Sequence, residues 1–164
     1  MSKPIKIVLG VVALIAIVAG GLGIVVINLV DRGLEQMTDA VTVTHLDISP
    51  FAGGERWNLS VHLEVENPTS GPVDVTMKRI AVKADERDLG FAELMGPASV
   101  ALAAGMETRF QGRTLISDSI YEDLKARGEI TYTIDGEITV TDRFLWFSKS
   151  RTEPFSLELR GMVG

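Results

Sequence analysis

The run from Ile7 to Val30 constrains this chain more than any other stretch. It holds apolar residues, glycines and one Asn28, and no Asp, Glu, Lys or Arg. At about 1.5 Å per residue it reaches roughly 36 Å as a helix, enough to cross a hydrocarbon core of about 30 Å. Lys3 and Lys6 precede it, and Asp31, Arg32 and Glu35 follow. A cationic flank stays on the cytoplasmic side, which sends everything beyond Val30 outward. The expectation is a signal-anchor over residues 1–30, with its transmembrane helix at 7–30, followed by an exported domain. A cleavable signal peptide is the rival, but its apolar core normally spans about 7–15 residues. Its best small-x-small site, Ala19-Gly20-Gly21, lies inside the run. The spacings Ala16-xxx-Gly20 and Ala19-xxx-Gly23 would let two helices approach closely, a route to a homo-oligomer within the membrane.

Beyond the run, composition narrows the choices. Setting Lys3 and Lys6 aside leaves 14 Lys and Arg against 22 Asp and Glu, a net charge of −8. Such a surface repels polyanions, so nucleic acid is not an expected partner. The chain has no cysteine, which removes disulfides, thiol nucleophiles and zinc–thiolate sites. Its two histidines, His45 and His62, offer little for a metal centre, and no metal or cofactor is expected.

Residues 31–40 read as a stalk. After them the hydrophobic period changes from helical to two. Val41–Ile48 reads as a first strand and Ser49–Arg56 as a loop. Trp57, Leu59, Val61, Leu63 and Val65 then alternate faultlessly with Asn58, Ser60, His62, Glu64 and Glu66. That is a half-buried antiparallel strand, stopped at Asn67-Pro68 because proline carries no N–H for a ladder. Val73, Val75 and Met77 alternate in one phase and Ile80, Val82 and Ala84 in the other, which predicts a bulge near Lys78-Arg79. Asp85–Asp88 is a charged turn, Leu89-Gly90-Phe91 opens a short strand, and Ala103-Ala104-Gly105 turns into a strand over Met106–Leu115. Ser119-x-x-Glu122 fits a capping box for one helix ending at Gly128. Asp135-Gly136 lies between alternating runs and predicts a hairpin or bulge. The last strand carries Phe155, Leu157 and Leu159. Seven or eight strands with one helix before the penultimate hairpin make an all-β sandwich over residues 41–160.

The order of these features resembles the late embryogenesis abundant type 2 group, whose domain is also called the water stress and hypersensitive response (WHy) domain. The matching residues are Leu63-Glu64-Val65-Glu66-Asn67-Pro68, Ile80 to Ala84, and Ile130-Thr131-Tyr132-Thr133-Ile134-Asp135-Gly136-Glu137, within a similarity running from Val41 to Leu159. Thr69 stands where plant members often carry a second Asn. The resemblance implies an immunoglobulin- or fibronectin type III-like sandwich linked to desiccation, cold or salt stress, with no catalytic residues to carry over.

Each candidate residue also has a plainer role. Asn67 and Pro68, the motif pair, suit a side-chain-capped turn ending a strand. His62, Glu64 and Glu66 share a strand face, but their ~7 Å spacing is too wide for one ion. Asn58-Leu59-Ser60 is a glycosylation sequon placed within a strand. Phe144-Leu145-Trp146-Phe147 is either a strand buried on both faces or an exposed patch of Phe144, Trp146 and Phe147 that touches membrane or protein. No Gly-x-Ser-x-Gly, His-Glu-x-x-His or phosphate loop occurs. The chain is thus expected to be a single-pass protein of the cell membrane, N-terminus cytoplasmic and domain extracytoplasmic, non-enzymatic and protective under osmotic stress. A pilin-like filament subunit and a lipid- or protein-binding module are the alternatives.

Overall fold

The computed structural model describes residues 36–52 apart from 38, residues 55–144 and residues 147–162. The anchor expected over 7–30, its helix-packing face and most of the stalk lie outside them. Among the described residues no helix is long and apolar enough to cross a membrane. The compact unit Leu34–Gly164 is built from β1 (Val41–Pro50), β2 (Arg56–Glu66), β3 (Val73–Ala84), β4 (Arg87–Leu94), β5 (Ser99–Leu102), β6 (Glu107–Ser117), a helix α1 (Asp118–Arg127), β7 (Glu129–Phe144) and β8 (Phe147–Met162).

Every pairing is antiparallel, in the order β1-β2-β6-β4-β3-β7-β8, with β5 beside the first part of β3. β4 is the corner. Its Gly90, Phe91 and Ala92 pair with β3, whereas Glu93 and Leu94 pair with β6. The sheet therefore curls, and its two halves close on one core as a β-sandwich. Gly112 of β6 marks how tightly they close, since a Cβ there would lie 3.1 Å from Ile80 Cδ1 of β3.

The alternation of β2 places Leu59, Val61, Leu63 and Val65 at 0% exposure. Each contributes roughly 1.5–3 kcal/mol by leaving water. In β3 the buried set is Val73, Val75 and Met77, then Ile80, Val82 and Ala84. The register against β7 shifts between Met77 and Arg79, so Lys78 is the extra residue of the bulge. Without it one half of the strand would present its apolar set to water.

Several sequence expectations need correction. Asp135-Gly136 makes neither a hairpin nor a bulge against β8, because β7 continues for 16 residues and pairs with β8 throughout. The helix consequently precedes the last hairpin, not the penultimate one. Its N-cap is Ser117, not Ser119: the Ser117 hydroxyl accepts from the Ile120 N–H at 3.4 Å. Ser119 cannot serve because α1 has already begun at Asp118, directly after β6 ends at Ser117. The packed unit also begins ahead of Val41. Met37 is helical and 0% exposed, so the end of the stalk plugs the core.

The two ends of the sandwich differ. The entry end, where the chain leads into β1, gathers the β2–β3 turn at 67–72, the β5–β6 turn at 103–106 and the closing end of the β7–β8 hairpin. Pairings Val41 with Val65, Val65 with Thr108, and Val73 with both Leu102 and Asp142 fix that grouping. The far end carries α1 and the Asp85-Glu86 turn.

Candidate functional site

Asn67 is fully buried and holds the entry end together. Its Nδ2 donates to the carbonyls of Gly71 at 2.9 Å and Leu102 at 3.0 Å. Its Oδ1 accepts from the Thr69 N–H at 3.0 Å and the Thr69 hydroxyl at 2.6 Å. Its backbone N–H donates to Met106 O, and its carbonyl accepts from Gly105 N–H, both at 2.9 Å. One side chain thus satisfies polar groups of two separate turns, as a buried amide must. Pro68 is exposed beside it and ends the strand. All four hydrogen-bonding positions of the amide group face protein, so the residue organises the turns instead of presenting itself to a ligand.

At the far end, Trp57 stacks on Tyr121 with centroids 3.5 Å apart and donates from Nε1 to Asp118 at 3.0 Å, which pins α1 to β2. Asp123 receives Arg127 at 2.7 Å and Arg87 at 2.8 Å. The Arg127 hydrogen bond, chiefly, holds the Asp123 carboxyl below its ordinary range and raises Arg127 in turn. Tyr132 is 2% exposed, and its hydroxyl finds no hydrogen-bond partner among the described residues. Burial, with a smaller push from Asp85, raises its pKa to about 12.

The outer face of β3, β7 and β8, with Phe91 of β4 at its border, forms an open groove of about 550 Å³. The Arg79 guanidinium lies 3.9 Å above the Phe91 ring, which is 58% exposed. Lys83 donates to Asp135 at 2.8 Å, and Ser156 donates to the same carboxylate at 2.7 Å. The bond from Lys83, then that from Ser156, lowers the Asp135 pKa, and the Asp135 partnership raises that of Lys83. Beyond them run hydroxyl pairs, Thr139 with Thr152 at 2.7 Å and Thr141 with Ser150 at 2.8 Å. A cation on an aromatic ring, an ion pair and hydroxyls suit recognition of a polar surface group. Gly136 belongs to the floor for a steric reason. A Cβ there would meet Phe155 Cζ at 2.2 Å and the Arg79 carbonyl at 2.8 Å.

The other sequence candidates are dispersed. Asn58 sits mid-sheet between Ser49 and Leu115, half-buried, with Oδ1 unpartnered among the described residues. Its setting is a three-stranded ladder, unlike the open loop a glycosylated Asn favours. His62 faces His45 at 5.7 Å between rings, and Glu64 takes Arg109 at 3.0 Å. Among the described residues no three His, Asp or Glu side chains gather to hold a metal. Phe144 and Phe147 pair across the end of the β7–β8 hairpin, so the aromatic segment joins two strands and is not one strand running through. Leu145, Trp146 and the side chains of Phe144 and Phe147 lie outside the described residues. Sequence reasoning missed Met37 and the Arg79–Phe91 contact. Met37 lay within a stretch with no strand pattern, and Arg79 is brought to Phe91 only by β3–β4 pairing.

The sequence matches no family model and no curated protein. Solved structures do resemble the fold. The solution structure of AT1g01470 from Arabidopsis thaliana aligns with a TM-score of 0.50 at 16% identity, over 75% of this chain and 80% of that one. A protein from Archaeoglobus fulgidus gives a TM-score of 0.37 at 8% identity, over 74% and 99%. The ASH / PapD-like domain of human CEP192 (PapD-like domain 7) gives 0.36 at 16%, over 77% and 88%. The likeness to the Arabidopsis structure speaks to the fold alone.

Proposed function

We propose that the chain is a membrane-anchored, extracytoplasmic sandwich of the late embryogenesis abundant type 2 kind, immunoglobulin- or fibronectin type III-like in build, with a non-catalytic role in osmotic or desiccation stress. The observation that carries this reading is the Asn67-Pro68 element. It ends the long alternating strand as the resemblance leads one to expect, and it ties two turns of the domain into one unit. The apolar run at 7–30 and the net charge of −8 beyond it support an anchored, well-hydrated domain. Such a domain would act by staying folded at the membrane surface while water is withdrawn and by keeping neighbouring surfaces apart.

Two measurements test this. Protease treatment of intact cells is expected to degrade residues beyond 40, and a protected domain would refute the orientation. Deletion of the gene is expected to lower survival through drying and salt shock, with recovery on re-expression of the full chain; unchanged survival refutes the protective role. A second reading, a binding module, draws on the Arg79–Phe91 groove. Under it Phe91→Ala and Arg79→Ala would leave folding intact yet reproduce the deletion phenotype.

A further inference from the structure

We propose that His45 and His62 together form a surface chelate for one divalent transition-metal cation, copper(II) ahead of the others. The site is formed by β1 and β2 alone and depends on neither the anchor nor the protective role. The chain has only these two histidines, and the fold sets them side by side. His45 of β1 is the direct partner of His62 of β2, and their ring centroids lie 5.7 Å apart with the planes tilted by 49°. Two imidazoles that bind one ion through nitrogen at about 2.0 Å carry their centroids roughly 4.5–6 Å apart. The pair already stands at chelating distance, so small ring rotations suffice to converge on an ion. A bulge produces this pairing. The β1–β2 register shifts between Val43 and His45, which makes Thr44 the extra residue. In an unbroken ladder Thr44 would stand opposite His62, and His45 would turn toward the core. The Thr44 hydroxyl instead donates to the His62 carbonyl at 3.3 Å and fastens the bulge beside the pair.

The two rings are otherwise uncommitted. Among the described residues neither imidazole has a hydrogen bond or an ion pair. His45 is exposed and His62 half-buried. His62 also lines a hollow of about 250 Å³ with Met95, Arg109 and Gln111, which leaves room for water beside it. Glu64, the next outward residue of β2, is held by Arg109 at 3.0 Å. No third His, Asp or Glu gathers with the pair among the described residues, so waters complete the shell and the ion exchanges readily. Nitrogen donors disfavour magnesium and calcium, which take oxygen ligands. Among divalent cations that imidazole suits, copper(II) binds most tightly. The excess of acidic over basic residues beyond the apolar run draws cations toward this surface.

Copper(II) chloride titrated into the full chain in detergent micelles is expected to show one ion bound at this site per chain. The second imidazole binds intramolecularly, so His45→Ala and His62→Ala are each expected to bind about 100-fold more weakly, close to the double variant, with circular dichroism unchanged. Magnesium and calcium in excess are expected not to displace the copper. Electron paramagnetic resonance of the unmodified chain with copper, which needs no variant to fold, is expected to show two imidazole nitrogens on the ion. Undiminished affinity in either single variant overturns the chelate, because the ion then sits elsewhere or on one ring. A spectrum with one imidazole nitrogen or none overturns it, as does displacement of copper by calcium.

Discussion

Replacing Asn67 with Ala strips four side-chain hydrogen bonds and takes the Asn67 partner from Leu102 O, Thr69 N–H and Gly71 O, the last keeping the Thr69 hydroxyl at 3.0 Å. A loss of roughly 2–4 kcal/mol is expected, read from urea unfolding. Asn67→Asp would turn a carboxylate toward two carbonyls, which raises its folded pKa and makes that variant less destabilised at pH 4 than at pH 7. Tyr132 follows the same rule at alkaline pH. Its folded pKa of about 12 exceeds the ordinary 10, so between those values the unfolded chain sheds a proton that the folded chain keeps. Stability should fall there by about 1.4 kcal/mol per pH unit. Lys83, raised in the folded state, loses its own contribution as pH rises through its folded value, so the comparison with Tyr132→Phe isolates the phenol. At neutral pH Tyr132→Phe removes an unpartnered hydroxyl and is expected to change stability by less than about 1 kcal/mol. The turn-forming character of Asn67 was legible in its sequence, since Asn before Pro has few other uses at a strand end. Its reach to Leu102 was not, because that carbonyl lies 35 residues away in the chain.

Among the elements, β3 and β7 show what a sequence pattern discloses and what it hides. The phase slip in β3 was readable residue by residue, since alternation records which face is buried. Deleting Lys78 is expected to abolish cooperative unfolding, because one half of the strand must then face the wrong way. In β7 the Asp-Gly pair carried a turn signal that tertiary packing overrides. Gly136 is glycine because the Phe155 ring crosses it from β8. Gly136→Ala is expected to destabilise by about 1–3 kcal/mol or more in thermal melts. Adding Phe155→Leu should recover only part of that, as the Arg79 carbonyl still stands 2.8 Å from the new methyl. The helix start was misread by two residues for a related reason. Ser117 and Ser119 are both suitable caps, and only the end of the β6 ladder chooses between them.

For the molecule as a whole, the β class was legible from alternation and turns, whereas the curl was not. One short strand, β4, serves two partners in succession, and no local pattern announces that. The exposed carboxylates give the whole fold its acid response. Asp123 and Asp135 are held low by their cation and hydroxyl partners, so what they contribute is present above the ordinary carboxylate range and lost as pH falls through their lowered values. Acid unfolding followed by circular dichroism is expected to set in below pH ~4 and to move to higher pH in Arg127→Ala. High salt should weaken the same exposed pairs. Asn67 has a consequence on this scale too. Because it binds the Gly71 and Leu102 carbonyls at once and locks against Gly105 and Met106 through its backbone, the two uncharged turns form one stiff rim. A rim already ordered in water has little conformational entropy left to lose, so any contact that these turns make carries almost no cost of ordering them.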